Sequence, residues 1–189
     1  MSVTYPVAFP TGIGIQSISL RLRKSVAMTE SPFTFKQQTY DFGSARWEAE
    51  VTIPPLSPAQ ARLFEAFLAS LEGQKGQFTM GHPQHTSTFT NTVTGSLGND
   101  VCNFSGSTVI TAGTYFSVAG AVSTTKHLHL VVNSSNQPTI QPPLRKAYSN
   151  SAVEFTAPVG TWRLASNEVG WTTGAGGNTP FTFACVEVL

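Results

Sequence analysis

Arg46-Trp47-Glu48-Ala49-Glu50-Val51-Thr52-Ile53-Pro54-Pro55-Leu56-Ser57-Pro58-Ala59-Gln60 holds a strand and the start of a helix within fifteen residues. Trp47, Ala49, Val51 and Ile53 alternate with Arg46, Glu48, Glu50 and Thr52. That period of two places the apolar set on one face of a half-buried strand. Two prolines then interrupt the run. Ser57 is a good N-cap, Pro58 suits the first helical position because no N–H is needed there, and Gln60 completes an S-x-x-Q capping box. Phe64, Phe67, Leu68 and Leu71 follow at i, i+3, i+4 and i+7, one apolar helical face. Gly73 is placed to end the helix in the left-handed conformation. The expectation is one helix over about 57–72.

Outward from that segment, the pattern is short strands. Ile18, Leu20 and Leu22 alternate with polar neighbours before it, and Phe33-Thr34-Phe35 reads as another short strand. Asp41-Phe42-Gly43 reads as the turn ahead of the Trp47 strand. After the helix, strands are expected at 76–80, 107–110, 115–118, 128–132, 152–156, 161–164 and 181–188, and an exposed glycine-rich loop at 174–178.

Of the 189 residues only 11% are Asp, Glu, Lys or Arg, with a formal net charge of +1. Soluble domains average about 25%. The chain carries 19 Ser and 24 Thr instead. A surface with few charges and no net repulsion is prone to associate. No basic excess is present to neutralise phosphates, which argues against nucleic-acid specificity. No apolar run reaches the ~20 residues that span a bilayer, and the start lacks a signal-peptide pattern, so assembly in a cytoplasm without membrane insertion is expected. Between His82 and Ile140 the only charges are Asp100 and Lys126. That neutral stretch, bordered by Gly81-His82-Pro83 and Gln141-Pro142-Pro143, reads as an inserted β subdomain. The division is then 1–81 plus 141–189 around an insert at 82–140.

Catalytic chemistry is hard to find. No G-x-S-x-G elbow or P-loop occurs, and Gly12-Ile13-Gly14 lacks the third glycine of a nucleotide loop. Glu48 and Glu50 sit on a polar strand face, and Asp41 and Asp100 sit in turns. His82/His85 and His127/His129 are spaced for sharing an ion, yet zinc draws three or four ligands and no Cys, Asp or Glu lies near either pair in sequence. They read as a loop and an exposed polar strand face. Cys102 and Cys185 read as buried free thiols. The expectation is no enzyme, no metal and no cofactor. Tyr115 and Trp171 are candidates for stacking on a sugar, which gives the alternative of a carbohydrate-binding β-sandwich in a host-recognition device. Arg21, Arg23, Arg145 and Lys146 form the local positive clusters and are candidates for subunit contacts.

The order of these pieces carries a resemblance. The Trp47 strand runs into Pro54-Pro55-Leu56-Ser57-Pro58. A helix ends in Phe67-Leu68-Ala69-Ser70-Leu71-Glu72-Gly73 and leads to Gly76-Gln77-Phe78. Later come Gln141-Pro142-Pro143-Leu144-Arg145, then Ala157-Pro158-Val159-Gly160-Thr161-Trp162-Arg163-Leu164, and last a Phe181-Thr182-Phe183 strand with Glu187. This arrangement resembles distal tail and tail-tip minor tail proteins of long-tailed bacteriophages. The resemblance implies a mainly β chain, a β-sandwich or split-barrel ring domain with one α-helix and an inserted small β-barrel-like subdomain. It also implies a homo-oligomeric ring, hexamer before trimer, that joins the tail tube protein to hub or fibre proteins in the virion tail.

Overall fold

The computed structural model describes residues 3–82, 87–118, 125–171 and 179–189. The chain is mainly β, with two curled sheets packed as a sandwich and one α-helix among the described residues. In chain order the elements are β1 (Val7–Ala8), β2 (Ser17–Glu30), β3 (Gln37–Leu56), α1 (Pro58–Ser70), β4 (Phe78–Gly81), β5 (Thr92–Gly95) and β6 (Asn103–Phe104). Then follow β7 (Tyr115–Val118), β8 (Leu128–Val131), β9 (Ile140–Gln141), β10 (Tyr148–Glu154), β11 (Val159–Leu164) and β12 (Thr179–Glu187). The first sheet has the order β1-β4-β11-β12-β3-β2 and the second β6-β5-β10-β7-β8-β9.

The first core forms under the helix. Trp47, Ala49, Val51 and Ile53 point into it from β3 and are all buried, as their alternation requires. The capping residues hold the helix start, where the Ser57 N–H donates to Gln60 Oε1 at 3.3 Å. Phe64, Phe67, Leu68 and Leu71 bury the apolar face. Phe64 meets Phe181 edge-on at 4.8 Å, which locks the helix to β12. At the helix end, Glu72 joins Gly73 in the left-handed region, with φ of 49° and 68°. A Cβ at Gly73 would meet Asn167 at 2.9 Å, so glycine is needed there for space as well as conformation.

Strands β7 and β8 form a wall shared by two cores. Leu128, Leu130 and Tyr115 pack against the first, whereas Phe116, Val118 and Val131 belong to the second. Cys185 lies in the first core and Cys102 in the second, both as buried free thiols. Burial pushes each thiol up to about 12.

Several local expectations are corrected. Phe33-Thr34-Phe35 is not a strand but belongs to the connection between β2 and β3, with Phe35 at φ 53°. Asp41-Phe42-Gly43 is not a turn between strands but lies inside β3. Its turn chemistry is present, since Gly43 has φ 70° and its N–H donates to Asp41 Oδ1 at 2.8 Å. The effect is a bulge, seen as a register shift between Lys24 and Val26, and the strand continues through it. Residues 107–110 make no strand; Ile110 alone bridges to Ser135. The strand expected over 152–156 is β10, and it pairs with β5 and β7 in the second sheet. The sequence places the end of the insert at 140, yet this sheet takes in residues up to 154. The glycine-rich loop at 174–178, and Pro83 and His85, lie outside the described residues.

Candidate functional site

Among the described residues, two clusters stand out by their burial. One is a polar seam between the sheets. The other is a β-hairpin arm that leaves the first sheet.

At the seam, β12 ends on Glu187, whose side chain is 1% exposed. Its Oε2 accepts the Trp47 N–H at 3.1 Å and an Arg145 N–H at 3.3 Å. Its Oε1 faces His127 Nδ1 at 3.5 Å. The Arg145 guanidinium also donates to the Ala45 carbonyl. The Trp47 indole N–H donates to the Leu128 carbonyl at 2.8 Å, which ties β3 to β8. Thr161 and Lys126 exchange two further bonds of 2.8 Å, with the Thr161 N–H and the Lys126 N–H as donors.

His127 and His129 are therefore not an exposed polar face: both are buried. His129 stacks on Phe116 at 5.2 Å and sets Nδ1 2.9 Å from the Pro142 carbonyl. A carbonyl only accepts, so Nδ1 carries the hydrogen in that bond. Burial lowers the His129 pKa to about 4, leaving a neutral ring near pH 7. His127 Nδ1, His129 Nε2, Gln141 Oε1, Arg145 Nε and Glu187 Oε1 are buried with no hydrogen-bond partner. No group of three His, Cys, Asp or Glu among the described residues is arranged to hold a metal ion. The seam's chemistry is that of an internal clamp: a carboxylate held by a guanidinium and a backbone N–H. Arg145, a contact candidate from sequence, directs its guanidinium to this clamp inside the molecule. Its partner Glu187 stands 42 residues away in the chain, so no local signal marks the pair.

Of the other contact candidates, Arg21 and Arg23 lie on the edge strand β2, and Lys146 lies in the connection between β9 and β10. Arg21 pairs with Glu50 at 3.8 Å and Arg23 with Glu48 at 3.4 Å, across β2 and β3. The Arg46 guanidinium holds the Glu48 carboxyl below the usual carboxylate range. Such exposed pairs add little stability. Lys146 is half-buried. Of the sugar candidates, Tyr115 is half-buried, stacks with His82 at 5.1 Å and lies 6.1 Å from Trp47. Trp171 is 42% exposed and packs 6.3 Å from Phe181. Trp162, by contrast, is a core residue whose indole N–H donates to the Met80 carbonyl.

Comparison with models of known protein families gives no match, and neither does comparison with curated protein sequences. No helix among the described residues is long and apolar enough to cross a membrane.

The arm begins where β12 stops pairing. β12 covers β3 only from Glu48 to Leu56, whereas β2 and β3 stay paired out to Glu30 and Gln37. At 3.4 Å per residue the two-stranded part reaches roughly 25 Å beyond the sheet. Val26, Met28, Phe33, Phe35, Tyr40 and Phe42 are all exposed on it, Phe33 at 91%. Paired positions share a face, so Tyr40 lies beside Ala27, whereas Val26 and Met28 point to the other side. Tyr40 and Phe42 pack edge-on at 4.8 Å. Apolar groups thus cover both faces. A lone two-stranded ribbon is marginally stable at best in water. The sequence shows these residues plainly, but their exposure follows from the bulge and from where β12 ends.

Proposed function

We propose that this chain is a structural ring subunit of a bacteriophage tail tip, a distal tail-like protein that joins the tail tube to hub or fibre proteins. The observation that carries this reading is the arm. At roughly 150–250 Å² for each aromatic side chain, its exposed apolar groups amount to roughly 700 Å². Spread over the tip and both faces, they approach in sum the ~800 Å² that each partner gives to a stable interface. Sparse charge and a net charge of +1 favour association, and the ordered resemblance to tail-tip proteins supplies the biological setting. Six copies in a ring, before three, is the assembly that setting favours.

Electron microscopy of the purified chain tests this. Closed rings, and capture of the chain into tails when it is made together with a tail tube protein, are the expected results. A chain that stays monomeric at high concentration and is absent from tails contradicts the reading.

A further inference from the structure

We infer that the tip of the arm docks in an apolar groove at the far edge of the same sheet on a second copy of this chain. The inference rests on the ring reading above and names the surfaces that would make the ring.

The groove holds about 390 Å³ and is lined by Ala8, Phe9, Ile13, Ile15, Met80 and Val159, among others. It sits beside β1 and β4, at one end of the strand order β1-β4-β11-β12-β3-β2. The arm is made by β3 and β2, at the other end. Two different surfaces at opposite edges of one sheet make a head-to-tail contact. Such contacts close into rings when the rotation between copies allows it.

Chemistry matches on the two sides. The groove residues carry no charge, and the segment 3–16 that forms one wall has none either. The arm tip, Ser31-Pro32-Phe33-Thr34-Phe35, is also uncharged. It is held ready by two backbone bonds, Phe35 N–H to the Ser31 carbonyl at 2.9 Å and Ser31 N–H to the Lys36 carbonyl at 3.0 Å. A tip already fixed in one conformation loses little freedom on docking. Inside the groove, Phe9 lies edge-on to Phe64 and Phe67 at 5.9 and 5.7 Å. A Phe ring entering there would extend an aromatic cluster that already exists. Docking would also anchor the free end of a ribbon that is marginally stable by itself.

The test uses two variants of the full chain. One carries Phe33→Asp with Phe35→Asp and keeps its groove; the other carries Ala8→Glu and keeps its arm. Ala8 and both phenylalanines are exposed, so each variant should keep the wild-type circular dichroism. Light scattering should find each variant monomeric alone, and an equimolar mixture should form a 1:1 dimer that grows no further. If the Ala8→Glu chain assembles alone, the arm docks elsewhere, and the inference fails while the ring reading stands. If the mixture of folded variants stays monomeric, the inference also fails. If wild-type chain never exceeds a monomer, both fail together.

Discussion

Glu187 is 4% exposed and Phe33 is 91% exposed, so each stands on the side of the surface that its chemistry disfavours. Around Glu187, a carboxylate, a guanidinium and two imidazoles have been drawn between the sheets. Along the arm, aromatic and aliphatic groups face water from both sides of a ribbon. Buried polar groups and large exposed apolar patches are the informative departures from normal burial. Part of the seam's misfit is answered within the chain, because Arg145 and the Trp47 N–H hold Glu187 Oε2 and the Pro142 carbonyl takes the His129 hydrogen. The arm has no comparable covering from its own sheet, since β12 ends its pairing at Glu48. The seam therefore acts within the chain, and the arm is the surface proposed for assembly.

The largest effect expected from this contrast is at the seam. Glu187→Ala would leave the Trp47 N–H without its acceptor and Arg145 without its counter-charge. Removing one partner of a buried pair costs about 3–5 kcal/mol, to be read by urea unfolding. A change below 1 kcal/mol would show that the clamp does not hold the sheets.

Next comes acid. The His129 pKa is about 4 in the folded chain, below the ordinary value of 6.5. The unfolded chain therefore binds the extra proton first as pH falls. Stability contributed by the neutral ring is full above pH 6.5 and is lost between there and pH 4, by about 3 kcal/mol. His129→Phe should flatten that part of the unfolding profile. An unchanged slope would move the cause to another group.

Smallest is the effect of the arm on the subunit's own stability. Phe33→Asp with Phe35→Asp should change the unfolding free energy of the monomer by no more than about 0.5 kcal/mol, because neither ring is packed in its own chain. Association should still appear in the wild type as a Tm that rises with protein concentration, and the variant's Tm should not rise.

How far the sequence led differs between these regions for physical reasons. The helix was legible because its signals are local: Ser57, Pro58 and Gln60 at one end, and four apolar residues on one face. The inner half of β3 was legible because one face is buried, so alternation survives from Trp47 to Ile53. The outer half has no buried face, and alternation carries no information there. Phe33 and Phe35 then imitate a strand, and Asp41-Phe42-Gly43 imitates a turn when it is a bulge. The seam was illegible because its pairs are distant: Glu187 meets Trp47 from 140 residues away. A histidine with no nearby ligand reads as exposed until tertiary structure supplies a partner. β10 pairs with β5 and β7, which no pattern within 148–154 reveals.

The arm as the assembly surface is tested most directly by light scattering on the full chain and on the Phe33→Asp, Phe35→Asp variant at equal concentration. A multi-subunit mass for the wild type and a monomer mass for the variant, with the same circular dichroism, are expected. Equal masses for the two would contradict the role assigned to the arm.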